Sequence, residues 1–123
     1  MDGETPKRLG FDRGARLKTG RDFAAVRRDG ERVVLGCLIA NWRELPPGSR
    51  TRLGVITSGR LGNAVVRSRA RRLLRESFRL HQREFGLALE LVLVARPSIA
   101  GMTFAQVERD FLSALRKARL LTK

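Results

Sequence analysis

The sequence predicts an α/β (α+β) two-layer sandwich: a mixed sheet of about four strands with helices packed on it, in the order αβββαβα. Three observations carry that expectation. Apolar patterns of helical and of strand period succeed one another along the chain in that order. One long helical pattern stands between two strand patterns, which calls for a parallel pair around it. The chain has 123 residues, enough for one compact domain and too few for two.

The elements follow in turn. Residues 1–13 are polar and read as a flexible N-terminal arm, leaving 14–123 as a single domain. A first helix begins at Thr19, with Asp22 in a capping-box-like position. It draws its apolar side from Phe23, Ala24 and Val26 and stops at Asp29-Gly30. The run RVVLGCLIANW, Arg32 to Trp42, is rich in β-branched and apolar residues and predicts one or two buried strands. Pro46-Pro47-Gly48-Ser49 marks a loop, and RLGVITS, Arg52 to Ser58, another short strand. Gly59 and Gly62 bracket a turn, after which Asn63 caps a long helix reaching Phe85 and ended by Gly86. LELVLVA, Leu89 to Ala95, is a buried strand closed by Arg96-Pro97. Thr103 caps a last helix, whose Phe104, Val107, Phe111, Leu112, Leu115 and Ala118 keep helical spacing. A sheet covered on one face by helices is the natural outcome.

The charge balance narrows the function. Lysine and arginine number 26 against 12 acidic residues, a net charge of +14, and 22 of the 26 are arginines. Such a surplus costs self-repulsion and points to a polyanionic partner. The planar guanidinium fork favours paired contacts to phosphate oxygens. No run approaches the ~18 apolar residues of a membrane span. MDGETPKRLG lacks the apolar stretch of a secretory signal. Cys37 is the only cysteine, which excludes an internal disulfide or a multi-cysteine zinc site. The reading is a folded, basic, cytoplasmic protein with no membrane and no small-molecule substrate.

Half of the net charge lies between Arg60 and Arg83, where eight arginines face one carboxylate, Glu76. At ~100° per residue, Val66, Ala70, Leu73, Leu74, Ser77, Leu80 and His81 fall on one side. Arg71, Arg72, Arg75, Arg79 and Arg83 fall on the other, with Arg67 and Arg69 at the border. Like charges at i,i+4 repel, so a helix tuned only for stability would intersperse glutamates. A solvated basic face, a helix for a membrane surface or partner groove, and a nucleic-acid-binding face all fit the charge. The apolar side is needed by the sheet, which favours the last. Ala64, Ser68 and Ala70 leave room for close backbone approach near the helix start, where the dipole also favours phosphate.

The run Gly62-Asn63-Ala64-Val65-Val66-Arg67-Ser68-Arg69-Ala70-Arg71-Arg72-Leu73-Leu74-Arg75-Glu76 closely resembles the signature of the bacterial ribonuclease P protein subunit. The resemblance extends through Arg16-Leu17-Lys18, Asp22-Phe23 and Arg52-Leu53-Gly54-Val55 upstream. Downstream it takes in Ala95-Arg96-Pro97 and Lys117-Ala118-Arg119-Leu120-Leu121, so that residues 14–121 are covered. It implies a left-handed crossover around the arginine helix, where general rules would favour a right-handed one. It further implies that an RNA subunit is the catalyst, using magnesium ions to cut the 5′ leader from precursor transfer RNA, while the protein binds both RNAs. Arg67, Ser68, Arg69, Arg71, Arg72, Arg75 and Arg79 are the residues it sets against the RNA subunit. Phe23, Arg27, Arg60, Arg16 and Lys18 are those it sets against the leader. Magnesium would be held by RNA and substrate rather than by protein.

This chain departs from the family pattern at several positions. Ser68 stands for the family asparagine, keeping a donor and an acceptor but losing reach. Arg27 stands where another aromatic is common, so stacking could pass from a ring to a guanidinium plane. Gly59 and Ile56 replace a lysine and a small polar residue bordering the cleft of sheet and first helix that the resemblance assigns to the leader. Leu35-Gly36 replaces a polar-basic pair usual in the first strands, and Trp42 is a candidate replacement ring or else a core residue. Nothing resembles protein catalysis: His81 is the only histidine, and the acids show no metal-ligand spacing. Cys37 reads as a small core residue. A general RNA-binding, RNA-chaperone or ribosome-associated domain is the alternative, and a self-sufficient nuclease the least supported.

Overall fold

The computed structural model describes residues 16, 17 and 20–122. The N-terminal arm, the Thr19 cap and Lys18 lie outside them. Within them, the expected order of elements holds: α1 Gly20–Asp29, β1 Glu31–Leu35, β2 Leu38–Glu44, β3 Arg52–Ile56, α2 Ala64–His81, β4 Leu89–Ala95 and α3 Phe104–Lys117. The sheet order is β1-β2-β4-β3. β2 pairs antiparallel with β1 and β4, whereas β3 and β4, the strands that flank α2, run parallel.

β1 and β2 form a hairpin over Gly36-Cys37. Gly36 has φ +56°, the left-handed region open to glycine, which accounts for its departure from the polar-basic pattern at this position. The Cys37 N–H donates to Asp110 Oδ2 at 3.0 Å, so α3 fastens the turn.

Strand alternation divides the core in two. Leu38, Ala40, Trp42, Leu53, Leu89, Leu91 and Leu93 join Leu74, Phe78, Phe111 and Leu115 in the main cluster beneath α2 and α3. Leu17, Val26 and Val92 form a smaller cluster with Phe23, Ile56 and Val94. The expectation of helices on one face is thereby corrected: α2 and α3 share a face and α1 covers part of the other. The cause is β4, whose apolar residues point both ways and need cover on both sides.

Three other expectations change, and one open choice is decided. β1 is an edge strand and is largely exposed rather than buried. The long helix ends at His81 instead of Phe85, followed by a single 3-10 turn, Gln82–Glu84. Residues 84–86 are drawn off to pair with the C-terminal segment, Gly86 N–H to Leu120 O and Thr122 N–H to Glu84 O, both at 2.8 Å. The buried face of α2 takes in Phe78, which meets Phe85 edge-on at 5.7 Å, and leaves Leu80 36% exposed. Trp42, finally, is buried on the α2/α3 side of the sheet, away from α1, and is a core ring rather than a stacking surface.

Candidate nucleic-acid interface

α2 begins where Asn63 Oδ1 accepts the Val66 N–H at 3.1 Å. Ala70, Leu73, Leu74, Ser77 and Phe78 pin it to the core, and the buried Ser77 hydroxyl donates to Leu73 O at 3.0 Å. Its outward side forms an open concavity of about 380 Å³ lined by Arg16, Ser68, Arg71, Arg72, Arg75, Glu76 and Arg79. Arg71 donates to Thr57 Oγ1 at 2.7 Å and to Ser68 Oγ at 3.1 Å, which fixes its fork on the β3 side. Arg79 is paired with Glu76, Nε to Oε1 at 2.9 Å, which raises the guanidinium pKa and lowers that of the carboxyl. Burial, then the charges of Arg16 and Arg71, lower that of Arg75. Guanidinium groups gathered this closely around one open concavity suit an anion.

Five of the seven residues expected against an RNA subunit therefore meet: Ser68, Arg71, Arg72, Arg75 and Arg79. Arg67 and Arg69 stand on the flanks, each bonded to the protein itself. Arg67 donates to Gly62 O and Arg69 to Met102 O, both at 2.7 Å. Arg16, expected with the leader residues, lines the arginine concavity instead. A parallel bridge to Leu53 carries it along the edge of β3, a long-range pairing with no local sequence signal.

On the opposite side of the sheet a second concavity, of about 430 Å³, opens between α1 and strands β1, β2 and β4. Ala24, Arg27, Arg28, Arg32, Ile39, Asn41 and Val94 line it. Of the expected leader residues, Arg27 is here. Phe23 is half-buried and packs on Gly54. Arg60 is exposed on the one-turn helix Gly59–Leu61 that precedes α2, away from this concavity. Arg32 and Asn41 were not expected, though strand period placed both on this face of the hairpin. α1 is held down by charge as well as by its apolar side. Buried Glu90 pairs with Arg43 at 2.5 Å and with Arg52 at 3.9 Å, and these arginines reach Asp29 and Asp22 at 3.9 and 3.3 Å.

The remaining chemistry-bearing groups are engaged structurally. His81 bridges Glu84 and Glu108 at 2.5 and 2.8 Å, joining the end of α2 to α3. Burial opposes its charge, but its hydrogen bonds to the Glu108 and Glu84 carboxylates prevail and hold its pKa above the ordinary value. Burial, then the neighbouring Asp110, push the Cys37 thiol up to about 12, so it stays protonated and inert. Among the described residues, no three His, Cys, Asp or Glu side chains gather as a metal-ligand set, and no helix is long and apolar enough to cross a membrane. Among the described residues, arginines thus gather on two faces, the outward side of α2 and the concavity beside α1.

Comparison with known proteins agrees. The family model described as Ribonuclease P matches residues 11–119. The Ribonuclease P protein component of Gluconacetobacter diazotrophicus is 38% identical over 108 residues, covering 87% of this chain and 93% of the relative. That of Brevibacillus brevis is 30% identical over 109 residues, covering 89% and 86%. The solved structure of the Staphylococcus aureus RNase P protein superposes with a TM-score of 0.80 at 28% identity, covering 88% of this chain and 98% of that one. The Thermotoga maritima RNase P protein shares the fold, with a TM-score of 0.73 at 23% identity. With an arginine concavity on α2, the expected α+β sheet and relatives matched over most of its length, the chain belongs to the ribonuclease P protein family.

Proposed function

We propose that this chain works in the cytoplasm as the protein partner of a catalytic RNA that removes the 5′ leader of precursor transfer RNA. The observation that carries the proposal is the α2 concavity, where Arg16, Arg71, Arg72, Arg75 and Arg79 converge with one carboxylate among them. In this reading α2 holds the RNA subunit. The concavity between α1 and the sheet, with Arg27, Arg28 and Arg32, takes the single-stranded leader. The protein's contribution is electrostatic and positional: it lowers phosphate repulsion and orders the two RNAs against each other. Cleavage chemistry belongs to the RNA, with magnesium held by RNA and substrate. Glu76, the carboxylate that lines the arginine concavity, is committed to Arg79.

Reconstitution tests it. Added to a bacterial ribonuclease P RNA at low magnesium, the chain restores leader removal, and alone it leaves precursor uncut. Binding of many RNAs without restored cleavage would overturn this reading in favour of a general RNA-binding domain.

A further inference from the structure

A second hollow adjoins the arginine concavity on α2. It measures about 370 Å³ and is lined by Arg72, Leu73, Glu76 and Phe104. Arg72 and Glu76 also line the arginine concavity. These two residues lie one helical turn apart and form a common wall a single row of side chains thick. One side of that wall is cationic; the other offers a half-buried ring and a leucine.

The surrounding elements fix this hollow firmly. Arg69 donates to Met102 O at 2.7 Å and ties the segment before α3 to α2. Thr103 and Gln106 form a reciprocal capping box, with Gln106 N–H to Thr103 Oγ1 at 3.2 Å and Thr103 N–H to Gln106 Oε1 at 2.9 Å. Phe104, the first residue of α3, is thereby set against the flank of α2 beside Arg72. Glu76 is neutralised by Arg79 and does not repel an anion next to it.

We infer that this hollow receives one unpaired base of the bound RNA, stacked on Phe104 and bordered by the Arg72 guanidinium, while the adjoining phosphate lies in the arginine concavity. The inference rests on the reading of α2 as the RNA-binding helix and deepens it. An aromatic face accepts any base, and a guanidinium beside it adds attraction without selecting sequence. A phosphate site and an apolar hollow on either side of one row of side chains are complementary to a nucleotide turned out of its helix. A duplex offers no such base to a surface. This charge pattern favours RNA over an apolar segment of another protein.

The test uses the full chain and a ribonuclease P RNA. Phe104→Leu keeps apolar bulk but loses the aromatic face; it weakens RNA binding about tenfold at a temperature where thermal unfolding shows the variant fully folded. Phe104→Trp retains affinity, and its indole emission is quenched when RNA binds, read against the parent chain, whose Trp42 is buried. Full-affinity binding with unquenched indole and an unaffected Phe104→Leu variant would overturn this inference, leave α2 as the RNA site and return the hollow to a protein partner. A parent chain that binds no RNA would overturn both readings together.

Discussion

The ring of Phe23 fills the space that a side chain at Gly54 would need: a Cβ built there falls 2.6 Å from Phe23 Cζ. The contact seats α1 on β3. Gly54→Ala should therefore destabilise the chain by about 1–3 kcal/mol, the usual cost of an overpacked contact. In a Phe23→Ala background the same substitution should cost much less, because the clashing ring is gone. Denaturant unfolding of the four variants reads the coupling directly. Additive effects would show that Phe23 does not rest on Gly54.

Arg69 and Arg72 lie three residues apart on α2 and should behave differently. Arg72 is exposed and lines both hollows, so Arg72→Ala should leave unfolding unchanged while lowering the salt slope of RNA binding by about 0.7–0.9. Arg69 is committed to Met102 O, and Arg69→Ala should cost about 1–2 kcal/mol of stability. Paired salt titrations and unfolding curves check both. A reversed pattern would remove the distinction drawn between binding and bracing arginines.

His81 makes stability depend on pH near neutrality. Glu108 and Glu84 outweigh burial and hold its pKa above the ordinary value. Its contribution is thus complete below the unfolded value of about 6.5 and is lost as pH rises through the folded value. The thermal midpoint should fall across that window, and His81→Gln should remove most of the dependence. No other histidine is present to confuse the measurement. An identical profile in parent and variant would refute the bridge.

Arg119 has φ 61°, the one non-glycine among the described residues with positive φ. It follows the α3 cap residue Ala118, with Leu120 N–H on Leu115 O and Arg119 N–H on Arg116 O, both at 3.0 Å. This helix-ending motif ordinarily takes glycine at that position. Arg119→Gly should stabilise the chain by about 0.5–1 kcal/mol in denaturant titration.

What was legible in the sequence was what is local. The Asn63 and Thr103 caps, the loop at Pro46-Pro47 and the arginine side of α2 depend on neighbours within one or two turns, and all are found. The layer taken by α1 was not legible, because strand period shows that both sides of β4 want cover without saying which element supplies it. A helical projection puts Arg69 at the border and Arg72 on the arginine side, but only the arrival of Met102 shows that Arg69 is committed to the fold. The place of Arg16 depends on its pairing with Leu53, far along the chain. Phe78 enters the core because Phe85 comes back over it after α2 has ended.

The packing of α2 on the sheet, with Arg71 tied to Thr57 after β3, has a consequence for the free protein. Arg16, Arg71 and Arg75 are lined up before any partner arrives, so association spends little ordering entropy on them. The same crowding is an internal strain that dissolved ions relieve. Dilute buffer is accordingly the harshest medium for this molecule, and sulfate or polyphosphate should raise its melting temperature well before any nucleic acid is added.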